Sequence, residues 1–214
     1  MARNIIFIVL FILLYGGLFL FGTKSTGAPE DRNDYGEFTE SGYRCDICDL
    51  EMEFDPTWIP MDGISVEQSY TDSELYDYFG DPGSYDLIVG FTHPDIYMEC
   101  VRFNDWTMEK ESFTNSYLSY ELDYYREYVA NMGGVMNDSG CKVLQANGNG
   151  ADMGVYYYDY TMGGEFYSEF NCFFNSGKDT IWIYGYYNNE DGLDAIMDFV
   201  QNKLTVNSDA SENV

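Results

Sequence analysis

Histidine is nearly absent, with one among 214 residues. A Ser–His–Asp triad would have to use His93, which sits in a His-Pro-Asp turn, and a His-rich metal site has no ligands to draw on. Basic residues are scarce too: Lys+Arg is 10 against Asp+Glu 37, a formal net charge of −27. A surface that acidic repels phosphates, so nucleic-acid binding is excluded, and peripheral attachment to anionic lipid is disfavoured for the same reason. Proline is low at 5. Also missing are G-x-S-x-G, a phosphate-binding G-x-x-x-x-G-K-[ST] loop, H-E-x-x-H and an EF-hand loop. The chain is therefore read as a non-enzyme with no cofactor and no metal. A glycosidase would need only two carboxylates, but with so many acids the sequence nominates no pair.

Aromatic residues are abundant, at 18%, with 21 tyrosines. That much ring surface argues for a packed core and against disorder. The N-terminus carries the one long apolar run. Asn4 to Thr23 has no charge, and Ile5 to Phe21 is apolar apart from Tyr15, Gly16 and Gly17. Twenty helical residues span about 30 Å, the thickness of a hydrocarbon core. Residues 1–23 are expected to be a transmembrane anchor or signal-anchor. The competing reading, a cleaved signal, would cut after Ala28 and place Pro29 at the new terminus. A short stub followed by a large domain exports the domain, so the expected location is the cell membrane, single-pass, with the C-terminal domain outside. Residues 24–42 read as a flexible acidic linker.

Residues 43–62 are a CxxC-containing acidic segment. Cys45 and Cys48 can be half a zinc site, a redox dithiol or a local disulfide. No second CxxC exists to complete a zinc site, and Asp46, Asp49 and Glu51 oppose a thiolate. A Cys45–Cys48 disulfide is the expectation outside the cell. The total of five, with Cys100, Cys141 and Cys172, leaves at least one thiol without an intrachain partner. Leu50, Met52 and Phe54 alternate with acids, the period of a strand.

The rest reads as an α+β domain over residues 63–206, with a polar tail at 207–214. Thr71-Asp72-Ser73-Glu74 is a capping box before a short helix. Strands are expected at Tyr85–Phe91 and Ile96–Phe103. Leu118, Leu122, Tyr125, Val129 and Met132 form one helical stripe over Ser116–Met132, closed by Gly133-Gly134. A meander of four strands follows, turning at Asn147-Gly148, Gly163-Gly164 and Ser176-Gly177. A last helix is expected from Asp191, with Leu193, Ile196, Met197, Val200 and Leu204 on its stripe.

The order of strand pair, long helix, meander and closing helix resembles PsbP-related domains over about residues 85–206. The likeness rests on the ANG turn at Ala146-Asn147-Gly148, the aromatic meander, and the close FFNSGKDTIWIYGYYNNEDGLDAIMDF. It implies an antiparallel β-sheet flanked by helices, an αβα sandwich, that is usually secreted and that binds rather than catalyses. The expected function is a membrane-anchored extracellular binding or accessory module. A structural or assembly subunit of a membrane complex is the first alternative, a cell-wall-polymer hydrolase the second. The partners expected are the membrane, through the chain's own N-terminal helix, and a protein or cell-envelope component. Strand phase offers Tyr156, Tyr158 and Tyr184 as a ligand face. Asn137-Asp138-Ser139 is a sequon, which makes Asn137 a glycosylation candidate.

Overall fold

A computed structural model describes residues 36–54, 56–81 and 83–207. The expected anchor at 1–23, most of the linker and nearly all of the polar tail lie outside the described residues. No helix among the described residues is long and apolar enough to cross a membrane.

The domain is α+β. In chain order its elements are β1 (Glu37–Phe38), β2 (Gly42–Cys45), β3 (Leu50–Glu53), β4 (Ile59–Asp62), α1 (Gly63–Glu67), α2 (Asp72–Phe79), β5 (Tyr85–His93) and β6 (Ile96–Phe103). A 3-10 turn (Lys110–Phe113), α3 (Asn115–Asn131), β7 (Val135–Gln145), β8 (Asn147–Gly148), β9 (Asp152–Met162), β10 (Glu165–Ser176) and β11 (Asp179–Tyr187) follow. The chain closes with α4 (Glu190–Asp198), a π turn (Phe199–Lys203) and β12 (Leu204–Val206). The main sheet has seven strands in the order β4-β5-β6-β11-β10-β9-β7, every pair antiparallel. A small sheet, β1-β2-β3-β12-β8, lies beside it.

Strand alternation sends each main-sheet strand's residues to two faces. One face presents Met98, Cys100, Val155, Phe170, Cys172, Phe174, Ile181 and Ile183. It packs on Ile196, Phe199 and Val200 of the closing helix and on Cys45, Leu50 and Met52 of the small sheet. The opposite face presents Tyr156, Tyr158 and Phe173, which pack under Leu118 and Leu122 of α3. Helices therefore cover both faces of one sheet. The expected capping box on α2 is present, with Thr71 accepting from the Glu74 amide and Glu74 accepting from the Thr71 amide. Thr114 caps α3 with a single bond, its side chain accepting from the amide of Tyr117. The short α1 reaches the sheet because β5 has Gly90 beneath it: a Cβ there would stand 2.7 Å from Val66 Cγ2.

Three boundaries differ from those the sequence suggests. Residues 43–62 are not a separate segment: β2 and β3 join β12, and β4 pairs with β5. Part of the expected linker is ordered as well, with Glu37 and Phe38 pairing to Arg44 and Tyr43. Leu204 leaves the last helix. The helix widens into the π turn and the chain then runs as β12, where Leu204 pairs with Met52 and Thr205 pairs in parallel with Asn147. The ANG segment is thus a two-residue strand of the small sheet as well as a turn.

Candidate functional site

The tyrosine-rich face of the main sheet carries the polar chemistry. The pairing register sets its first row: Glu99 on β6 beside Tyr184 on β11, then Asn171 on β10 and Tyr156 on β9. The next row holds Tyr97 beside Tyr186, and Glu169 beside Tyr158. A third places Tyr167 beside Tyr160. Two helical covers divide this face. The α1–α2 region lies over Trp182 and Tyr184 through Phe79, with ring centroids 6.4 and 6.1 Å apart, and α3 lies over Tyr156 and Tyr158 through Tyr125, at 5.9 and 4.8 Å.

The ligand-face candidates are therefore corrected. Tyr156, Tyr158 and Tyr184 are only 7%, 3% and 7% exposed. They are core residues, because the two covers sit directly on them. The less covered rings lie two residues along β11 and β9, at Tyr186 and Tyr160, and beside them on β6 and β10, at Tyr97 and Tyr167. Tyr186 is 48% exposed and stacks on half-buried Tyr97, with centroids 6.3 Å apart and planes 14° from parallel. Half-buried Tyr160 and Tyr167 stack at 5.2 Å and 15°. Together they make a ring floor, with Glu165 exposed at its rim.

Beside this floor, in the neighbouring row of the same face, lies a buried carboxylate that the sequence motifs do not single out. Glu99 is 1% exposed. Its Oε2 accepts from the Tyr70 phenol at 2.8 Å and from the Tyr184 phenol, and its Oε1 accepts from the Tyr97 phenol. Tyr70 and Tyr184 hydroxyls also meet each other at 2.5 Å. Burial pushes the Glu99 carboxyl up, and the three phenols pull against that without cancelling it. Burial and then the Glu99 charge push the Tyr184 and Tyr97 phenols far above their usual range, so both remain donors. Half-buried Glu169 continues the network. It accepts from the Tyr158 phenol at 2.6 Å and the Asn171 amide at 3.0 Å, while Asn171 Oδ1 accepts from the Trp182 indole at 2.9 Å. The sequence does carry a sign of Glu99. Ile96–Phe103 holds only two charged residues, Glu99 and Arg102, and a charge inside a buried strand must find partners.

Arg102 points to the other face. Its Nε and Nη2 donate to Asp179 Oδ2 at 2.9 and 2.7 Å, and Nη1 donates to Asp86 Oδ2 at 3.4 Å. Asp179 Oδ1 accepts from the Asp105 amide at 2.8 Å. The group ties β5, β6 and β11 together at one end of the sheet.

The expected Cys45–Cys48 disulfide is absent, since all five cysteines are free thiols. Cys45 ends β2 and Cys48 lies in the turn to β3, both buried, with a hydrogen bond between their side chains. That bond lowers Cys45 against the effect of burial and raises Cys48, while nearby Arg102 favours both thiolates. Asp46, Asp49 and Glu51, read as opposing a thiolate, are exposed, where solvent and salt screen their charge. Cys100 and Cys172 are buried, and Cys141 alone is half-exposed. A thiol alkylating reagent is expected to add one group to the native protein, at Cys141, and five after unfolding without reductant. Three additions after unfolding, counted by mass spectrometry, would show that a disulfide forms in the isolated protein.

Asn137 lies exposed on β7, its Nδ2 donating to Asp159 Oδ1 at 3.0 Å and Thr161 Oγ1 at 3.2 Å. His93 is half-buried against Trp58, with ring centroids 5.5 Å apart.

No protein-family model matches the chain, and no curated protein does. Among solved structures it is similar to the solution structure of cyanobacterial PsbP (CyanoP) from Synechocystis sp. PCC 6803. That match has 12% identity, covers 86% of this chain and 99% of that one, and has a TM-score of 0.45. It is also similar to LpqN, described as involved in cell envelope biogenesis of Mycobacterium tuberculosis. There the identity is 10%, the cover 74% of this chain and 83% of that one, and the TM-score 0.38.

Proposed function

We propose that this chain is a non-catalytic binding module, held at the cell membrane by residues 1–23 with its domain outside the cell, and that the ring floor is where it meets its partner. The observation that carries the reading is the quartet of exposed Tyr186 and half-buried Tyr97, Tyr160 and Tyr167, with Glu99 and Glu169 beside it on the same sheet face. Tyrosine faces attract cations through the ring quadrupole, and carboxylates beside them add to that attraction. The partner is accordingly a protein of the cell envelope that presents lysine or arginine. Binding fits the site better than hydrolysis. A general acid must reach its substrate, and Glu99 is closed off by three phenols that each hold one of its oxygens.

The full chain in detergent micelles is expected to bind an isolated cell-envelope fraction less tightly as salt rises, as a screened charge contact does. The Tyr97→Ala/Tyr186→Ala double variant is expected to bind about tenfold more weakly, the loss of two ring–cation contacts of about 0.5–1 kcal/mol each at an open site. Undiminished binding by that variant, with its fold intact, would refute the assignment.

A further inference from the structure

The main sheet ends unevenly. At one edge β4 has four residues and includes Pro60, which cannot donate a backbone hydrogen bond. At the other edge β7 runs for 11 residues without proline and pairs only with β9 among the described residues. The outer strands of the small sheet, β1 and β8, have two residues each. A long open edge presents a row of unused N–H and C=O groups, which proteins ordinarily shorten or cover. The bulge between Met136 and Asp138, and the Ser139 amide, which donates to Asp138 Oδ1 at 2.8 Å, blunt the start of β7 and leave the run from Gly140 to Gln145 in regular register.

Two clefts flank this edge. One, of about 470 Å³, lies between the end of α3 and the first half of β7, and is lined by Arg126, Ala130 and residues 134–139. The other, of about 540 Å³, lies between the middle of β7 and the closing helix, and is lined by Lys142, Tyr157, Leu193, Asp194, Met197 and Asp198 among others. They open toward opposite faces of the sheet, one bounded by α3 and the other by α4. A strand added to β7 would send alternate side chains toward those two faces.

We propose that the outer edge of β7 is a strand-addition site for an extended, lysine- or arginine-bearing segment of a partner protein. The backbone ladder supplies the pairing and the two clefts receive alternate side chains. Charge decides the occupant. The chain has 37 acidic residues against 10 basic ones, so a second copy with the same net charge of −27 is repelled. Asp138 and Asp194 line the clefts as acids with no ion pair among the described residues, Asp198 beside them is paired with Lys203 at 3.1 Å, and the Arg126 guanidinium is already taken up by Asp123. Lys142 is the one basic residue of β7 itself, and it reaches into the second cleft, whose apolar lining from Leu193 and Met197 suits the aliphatic stem of a basic side chain. This site stands apart from the ring floor and does not depend on it.

The test is amide hydrogen exchange over residues 135–145 in the full chain in detergent micelles. Three short peptides serve as probes: one alternating lysine and valine, the same peptide with alternate amides N-methylated, and one alternating glutamate and valine. The lysine peptide is expected to slow exchange at outward-facing β7 amides by about tenfold. The N-methylated and glutamate peptides are expected to leave it unchanged. The protection should persist in the Tyr97→Ala/Tyr186→Ala variant, which separates this site from the ring floor. Equal protection by the N-methylated peptide would mean charge attraction without strand pairing, and would overturn the proposal. So would protection by the glutamate peptide, or none by the lysine peptide. Protection before any peptide is added would overturn it as well: at every protein concentration it would place residues 1–35 on the edge, and rising with concentration it would place a second copy there.

Discussion

Replacing Glu99 with leucine is expected to destabilise the domain by about 3 kcal/mol, since an orphaned buried polar group costs about 1–3 kcal/mol and three phenols lose their acceptor. The total stays that low because Tyr70 and Tyr184 still have each other at 2.5 Å, and half-buried Tyr97 can turn toward water. In a domain of this size the loss corresponds to a fall in Tm of about 6–12 °C. Glu99→Gln keeps an acceptor and removes the charge, and its effect depends on pH. Burial raises the Glu99 carboxyl in the folded state. Its contribution to stability is then fully present below the unfolded value of about 4.3, and is lost as pH rises through the folded value. Wild type should therefore lose stability relative to Glu99→Gln between about pH 4 and the raised folded value, while the other acids cancel in the comparison. Chemical denaturation of both proteins across that range measures the difference. A gap that does not change with pH would mean that Glu99 titrates normally, and the buried-network account would fail.

Arg102→Met is expected to cost more, about 3–5 kcal/mol, because removing one member of a buried ion pair strands the other. Asp179 is 5% exposed, so its carboxylate would lose a cation with little water to replace it. The fall in Tm would be about 6–20 °C. Arg102→Lys keeps the charge but cannot reach both aspartates with a planar fork, so it should fall between the two. Removing charge from both sides with Arg102→Met/Asp179→Leu should recover part of the loss. Equal Tm values for the single and double variants would show that the stranded carboxylate is not the cause.

Several elements are legible in the sequence because their causes are local. The stripe from Leu118 to Val129 marks α3 because an apolar face at helical spacing has one use in a folded domain. The Thr71–Glu74 box marks the start of α2 because capping is decided within four residues. The small sheet has no such sign. It joins residues 42–53 to 204–206, and strands of two to four residues take their register from distant partners. Leu204 keeps helical spacing and is still a strand residue, since pairing with Met52 outweighs one more helical turn. The tyrosines divide the same way. Strand phase places Tyr156, Tyr158, Tyr184 and Tyr186 on one face. Which of them are open depends on where two helices land, and no local pattern encodes that. Glu99 and Arg102 are visible as charges within one strand, but apart from Tyr97 their partners come from β5, β11 and the loop before α2.

Site-specific photocrosslinking tests the central claim, that the open rings and not the buried ones meet a partner. An azidophenylalanine placed at Tyr186 of the full chain in its native membrane should give a discrete, salt-sensitive adduct on irradiation, and the same probe at Tyr158, which is 3% exposed, should give none. Tyr124, exposed on the outer face of α3, serves as the surface control and should also give none. No adduct at position 186, or adducts of equal yield at 186 and 124, would contradict the account.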